Sequence, residues 1–439
     1  MNRNAFPVNL TKTMSDSEED SCTSVDWTVT EEWLETILKA HHEEQIKTDK
    51  DDLETECKVK ILEFVVRPGC DTGESVLSDI LSVYVEYTIN NTKSEHQSLN
   101  LIIKLLPQDP FSRFFVTEAQ FDLREIKFYT QVVPDLEKFQ KTNLIAGEDP
   151  IEFPIPKCYH AHYSAGRNEP DQSPIPPESV LVLENIKPHG FSSANFSRGL
   201  TLRQTTAALQ SIAKLHALSL ALKVKEQKPL SERYSFLFQT ARATDSYQQL
   251  VERGLPQLSR FLERRPGLED VINALTKIRS NTKDLIENLL TPEEPMALIT
   301  HIDFWCNNLM FREDTKNAEC AILDWQMVTY SRPTNDVALL LISSVPSELR
   351  RLHTENLLNT YWESLTTCTK KLGLNIEKDL GYTISNLKSD YHRSQLLALL
   401  LCIGSVDVAL GDPLTEQRLL DVLQDLYEDG VLSIETRQD

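Results

Sequence analysis

Basic residues are scarce in this chain. Across 439 residues, 45 Lys and Arg stand against 66 Asp and Glu, a formal charge of −21. A general nucleic-acid binder needs a basic surface that displaces counterions, so that class is excluded, though a local basic pocket is not. Long hydrophobic runs are missing too. The longest, Leu396 to Ile403, has eight residues, against the roughly 20 that cross a bilayer. The opening MNRNAFPVNLTKTMSDSEED lacks the apolar core of a signal peptide. A cytoplasmic protein with no membrane contact is expected. The eight cysteines include no C-x-x-C pair. Neither a disulfide framework nor a cysteine-based zinc site is expected, only free and mostly buried thiols. No G-x-x-x-x-G-K-[ST] loop and no internal repeat occur.

What remains is ordinary for a globular chain, with 40% apolar and 25% charged residues. The length suits about three units of roughly 150 residues, or two larger lobes. Residues 1–25 are polar and acidic, with DSEEDS at 16–21, and read as a disordered tail. A helix begins near Thr28, with Trp33, Leu34, Ile37 and Leu38 at helical spacing. Strand-like segments follow at 57–66, 80–89, 99–106, 155–164 and 179–186, with one amphipathic helix, Phe115 to Val132, between the third and fourth. From Leu202 the character changes. Helical periodicity runs through 201–222, 266–290, 349–371, 392–403 and 415–427. The exception is 297–328, where ALITH, NLMFR and CAILDW are short strand-like pieces around polar loops. A β-rich half, 26–185, followed by a helical half, 186–439, suggests two unlike lobes with a cleft between them.

The densest polar cluster is HIDFWCNNLMF, 301–311, at the end of an apolar strand. Asp324 follows a second apolar strand, CAIL, 21 residues beyond Asp303. An Asp/Asn pair five residues apart, with another strand-end Asp, suits phosphoryl transfer. One carboxylate accepts the proton of the attacking hydroxyl; an amide oxygen and a second carboxylate hold Mg²⁺ against nucleotide phosphates.

H-x-D-x-x-x-x-N with a later strand-end Asp resembles the protein-kinase-like fold. The fuller H-x-D-x-W-x-x-N-x-x-F, then D-W-Q, resembles the ecdysteroid-kinase-like branch of small-molecule kinases. VLENIKPHGF (182–191), AKLHALS (213–219) and FDLREIKFYTQVVP (121–134) are similar to further strings of that branch, in order. The resemblance implies an α+β, bilobal fold: a small antiparallel-sheet N-lobe with one key helix, and a larger helical C-lobe. It implies an ATP- and Mg²⁺-dependent kinase acting on a hydroxylated small molecule, an ecdysteroid or another lipophile or xenobiotic, with no clear protein partner.

The same resemblance assigns residues. Lys104 would contact the α- and β-phosphates, and Glu125 would fix it. Asp303 would be the catalytic base, with Asn308 and Asp324 as the Mg²⁺ ligands. Gly73 and Ser78 belong to the turn over the phosphates. Glu184 and Ile186 mark the hinge where backbone groups hold adenine. His301 and His216 would be structural, Asp336 would cap its own helix, and Trp305 would wall the acceptor pocket or pack in the core. Two departures stand out. Ile302 replaces the glycine usual between the His and Asp of the loop. The phosphate turn reads GESVLS (73–78), where Ser75 and Val76 differ from the resembled G-E-N-Y-x-S. The second departure leaves an alternative open: a catalytically weak pseudokinase that binds a ligand or protein. A protein kinase is disfavoured, because A-P-E is absent and only twelve residues separate Asp324 from Asp336.

Overall fold

The computed structural model describes residues 28–49, 57–70, 77–90, 96–166, 175–226, 228–238, 240–314 and 317–433. The acidic tail and Gly73 lie outside the described residues.

Five strands form one antiparallel sheet in the order β1-β2-β3-β5-β4. They are β1 (Val59–Pro68), β2 (Asp79–Ile89), β3 (His96–Leu105), β4 (Cys158–Ser164) and β5 (Glu178–Glu184). Strand alternation decides which side chain faces where. Val83, Val85, Tyr87, Leu101 and Ile103 share one face, covered by Leu34, Ile37 and Leu38 of helix α1 (Glu31–Asp49). Each such side chain, fully buried, contributes roughly 1.5–3 kcal/mol. Lys104, one residue on from Ile103, is turned to the opposite face. There Leu181 and Leu183 of β5 join the large core shared with the helical lobe.

The helix expected over Phe115–Val132 is three helices and a wide turn: α2 (Pro110–Ala119), α3 (Phe121–Lys127), a π-helical turn at Phe128–Val132, and α4 (Val133–Asn143). Asp109 starts α2, accepting a hydrogen bond from the Ser112 N–H at 2.7 Å, with Pro110 in the first turn. Gln120, with φ of 57°, breaks the chain from α2 into α3. The break turns both Phe121 and Glu125 inward, to 1% and 2% exposure. Apolar periodicity continues across a single left-handed residue, which is why the sequence reads as one helix.

The helical lobe is built around α5 (Leu202–Lys225), which opens with a Thr201–Gln204 capping box. The segment expected at 266–290 divides into Glu269–Arg279 and Thr282–Leu290. Ser347–Lys371, Ile384–Gly404 and Pro413–Glu428 include the other three expected helices. Thr240–Leu262 is an additional long helix, despite Gly254 and Pro256 inside it. Gly254 is a packing notch: a Cβ there would collide with the Ile403 carbonyl oxygen. Within this lobe, Leu298–Thr300 pairs with Thr329–Ser331, and Leu309–Glu313 forms a hairpin with Ala318–Ile322. No helix among the described residues is long and apolar enough to cross a membrane.

Candidate active site

The loop at 301–308 is held mainly by backbone hydrogen bonds. The His301 Nε2–H donates to the Leu323 carbonyl at 2.8 Å. Its Nδ1 accepts from the Asp303 N–H at 3.2 Å. These two partners fix one neutral tautomer, and burial lowers the imidazole pKa. Asp336 accepts from the His301 N–H at 2.8 Å and the Ile302 N–H at 2.7 Å. It also accepts from His216 Nε2 at 3.0 Å, while Tyr361 donates to His216 Nδ1 at 2.8 Å. The expected helix cap is thus corrected. No side chain caps the Thr334–Ser344 helix at Pro333, and Asp336 ties that helix to the loop. Two converging N–H groups at one carboxylate satisfy donors that would otherwise be buried unpaired.

The geometry has a backbone cost at Ile302, which adopts φ of 64° with its side chain buried. That region disfavours a β-branched residue by about 1–2 kcal/mol. The bend turns the chain towards Asp303. Asn308 Nδ2 donates to the Asp303 carboxylate at 2.7 Å and to its carbonyl at 2.9 Å. Burial pushes the Asp303 carboxyl up to about 7, helped by repulsion from Asp324, with Asn308, Trp305 and Lys104 opposing.

Asp324 ends the second strand in a left-handed conformation, φ 61°. Lys104 joins it from the sheet. Its ammonium lies 2.7 Å from Asp324 Oδ1 and 2.6 Å from Glu125 Oε2. Burial alone would lower the lysine pKa, but Asp324 and Glu125 outweigh it and raise the value, so the ammonium stays charged. Burial pushes Glu125 up to about 7, against the pull of Lys104. Glu125 also accepts from the Trp325 N–H at 3.2 Å. Trp325 stacks on Phe128 at 4.0 Å and 6°, so the D-W-Q aromatic fastens the strand end to the π turn. Arg124 donates to the Val328 carbonyl at 3.0 Å. Helix α3 therefore grips the segment on both sides of Gln326.

The structure thus brings Lys104, Glu125 and Asp324 into direct contact, and Asp303 and Asn308 likewise. Ser78 lines a cavity of about 290 Å³ together with Lys104 and Glu125. Glu184 ends β5, its carboxylate 3.2 Å from His189 Nδ1. The Ile186 side chain packs with Met310, Ala321 and Leu323, beneath the hairpin that leads to Asp324.

A second, partly open cavity of about 640 Å³ reaches Asp303 from the helical side. Trp305 and Phe196, edge to face at 5.5 Å, line it with mostly apolar side chains of four helices. Trp305 therefore stands in a cavity wall. Arg418 is the lining residue that sequence reading missed. The signal is there: it interrupts the apolar stripe of Leu419, Val422 and Leu426 on the Pro413–Glu428 helix, where a charge has no packing reason to stand.

A sheet lysine clasped by a helix glutamate, an Asp–Asn loop and a strand-end Asp, set where a small sheet meets a helical lobe, define a protein-kinase-like fold. The chain belongs to the ecdysteroid kinase-like family, whose family model matches residues 72–374. It is a small-molecule kinase, a phosphotransferase with an alcohol group as acceptor. Among solved structures it is similar to a microcompartment-associated aminopropanol kinase, at 12% identity and a TM-score of 0.42, covering 90% of this chain and 98% of that one. An ethanolamine kinase from Plasmodium vivax gives 10% and 0.41, over 82% and 81% of the two chains. A choline kinase from Cryptosporidium parvum gives 11% and 0.40, over 87% and 92%. No curated protein matches the chain.

Proposed function

We propose that the chain transfers the γ-phosphoryl group of ATP, with Mg²⁺, to a hydroxyl of a lipophilic small molecule, an ecdysteroid or another hydroxylated lipophile or xenobiotic. The observation that carries this reading is the contact set Lys104–Glu125–Asp324 beside the pair Asp303–Asn308. Asp303 takes the proton of the acceptor hydroxyl. The oxygen attacks the γ-phosphorus, the bond to the β-phosphate oxygen breaks, and its electron pair leaves on ADP. Lys104, fixed by Glu125, holds the α- and β-phosphates. Ser78, with Gly73, covers the phosphates, and backbone groups from Glu184 to Ile186 hold adenine.

The donor set fits Mg²⁺. With Asn308 Nδ2 committed to Asp303, the amide leaves its oxygen for a cation, and Asp324 supplies a carboxylate; both are hard oxygen ligands. Bound there, Mg²⁺ would neutralise charge on the phosphates. The apolar cavity that reaches Asp303 supports a lipophilic acceptor. The free cysteines among the described residues support a cytoplasmic location.

Asp303→Asn should retain ATP binding and lose turnover by at least about a hundredfold, the size of lost general-base help. Full activity in that variant would refute the assignment. In calorimetry Asp324→Asn should weaken Mg²⁺–nucleotide binding, and an unchanged affinity removes its metal role.

A further inference from the structure

We propose that Arg418 selects the acceptor: the cavity beside Asp303 takes lipophilic alcohols that also carry a carbonyl or carboxylate oxygen, and turns away those that carry an ammonium group. This rests on the reading of that cavity as the acceptor site.

Arg418 is a buried cation without an ion pair among the described residues; the Asp412 carboxylate acts on it only from beyond contact distance. Arg418 is 7% exposed. No carboxylate among the described residues lies within ion-pair distance of it, and its protein partners are neutral. They are the Phe196 carbonyl at 2.8 Å, the Ser197 carbonyl at 3.4 Å and the Phe196 ring at 4.7 Å. A guanidinium has five N–H donors in a planar fork, so these bonds leave donors unused. Burying an unpaired charge is costly unless a ligand completes it. Arg418 also lines the cavity, so the unused donors have a ligand space beside them. Holding the turn at 196–197 would not by itself require a charge facing an apolar pocket.

The rest of the lining sets the selectivity. Asp303 is the one carboxylate among the described lining residues, and it faces the reacting hydroxyl. The remainder is apolar or neutral, including Leu339, Cys402 and Val422. An ammonium substituent would meet Arg418 in low dielectric and be repelled. A carboxylate would form a charge-assisted, potentially bidentate pair, and a carbonyl a weaker one. An acceptor with a hydroxyl at one end and such an oxygen elsewhere satisfies both polar positions and leaves its body to the apolar wall.

The test uses four probes on one apolar skeleton: ω-hydroxydodecanoate, its methyl ester, dodecanol and ω-aminododecanol. Binding to the full-length protein is measured by calorimetry without nucleotide, and phosphoryl transfer from MgATP by mass gain. The expected order of affinity is carboxylate, ester, alkanol, amine. The carboxylate should lead the alkanol by about 10- to 100-fold, the size of a hydrogen bond to a charged group. In Arg418→Gln the ratio between carboxylate and alkanol should fall towards one, and Arg418→Lys should restore part of it. A role limited to holding the 196–197 turn would weaken all four probes alike and leave the ratio unmoved, which overturns the proposal. So does an amine that binds the wild type as well as the alkanol, or a carboxylate that does not bind. Charge-ordered binding with no phosphoryl transfer to any probe would keep Arg418 as the oxygen-binding group and overturn the reading of the cavity as the acceptor site instead.

Discussion

Ile302 shows how one side chain can be right for packing and wrong for its backbone. Its φ of 64° favours glycine, yet its side chain is 1% exposed. Truncating a buried Ile loses about 2–5 kcal/mol, whereas relieving the strain recovers about 1–2 kcal/mol. Burial wins, so both Ile302→Ala and Ile302→Gly should lower stability in urea. The left-handed backbone predicts that Gly is at least as stable as Ala, the reverse of an ordinary position. A glycine variant clearly weaker than the alanine one would show that the backbone is unstrained. His41 gives a second residue-scale test. Burial first, then Lys157, lowers its pKa to about 4. The unfolded histidine titrates near 6.5, so between about pH 6.5 and 4 the unfolded state binds more protons. Stability should fall as pH drops through that window. His41→Phe should flatten that slope in melts run across pH, and an unchanged slope removes His41 as its cause.

At the scale of elements, Asp336 is the joint between the Thr334–Ser344 helix and the 301–308 loop. Asp336→Asn replaces an acceptor-only group with one that must present an NH₂ to at least one N–H. Each charge-assisted bond lost costs about 1.5–3 kcal/mol. The variant should melt earlier and turn over more slowly, checked by calorimetry and by kcat. Loss of stability with full kcat would separate the joint from the chemistry. The sequence carried most elements plainly, because partial β-branched alternation marks β2, a short apolar run marks β3 and a threonine–glutamine box marks α5. It hid those whose logic is tertiary. Gly254 reads as a helix breaker until Ile403 is seen against it, and Gln120 reads as helix although it bends the chain. Asp336 stands at a helix start, where capping is the usual local reading. Its true partners lie 34 and 35 residues upstream.

Across the whole molecule, the Lys104 ammonium connects sheet, key helix and strand end. Removing it leaves Glu125 and Asp324 facing each other around a vacated cation. Lys104→Met should therefore cost about 3–5 kcal/mol, the size of a broken buried pair. Adding Glu125→Gln should return part of that. A double-mutant cycle measures it, and strict additivity would deny the coupling. The site was legible through residues whose spacing is set by local strands and loops: Asp303, Asn308 and Asp324. The Lys104–Glu125 contact spans 21 residues and needed family order to be read. Arg418 was not legible as a site residue, because its cavity is assembled from distant helices and an interrupted apolar stripe does not say what fills it.

The stretch from Asp324 to Asp336 is sewn down along its length. Trp325 is stacked, Val328 is tethered to Arg124, and Thr329–Ser331 is paired as a strand. Such a stitched span has no loose strap for a covalent mark to throw. A mark placed within this span would have to break those ties before it could shift Asp324.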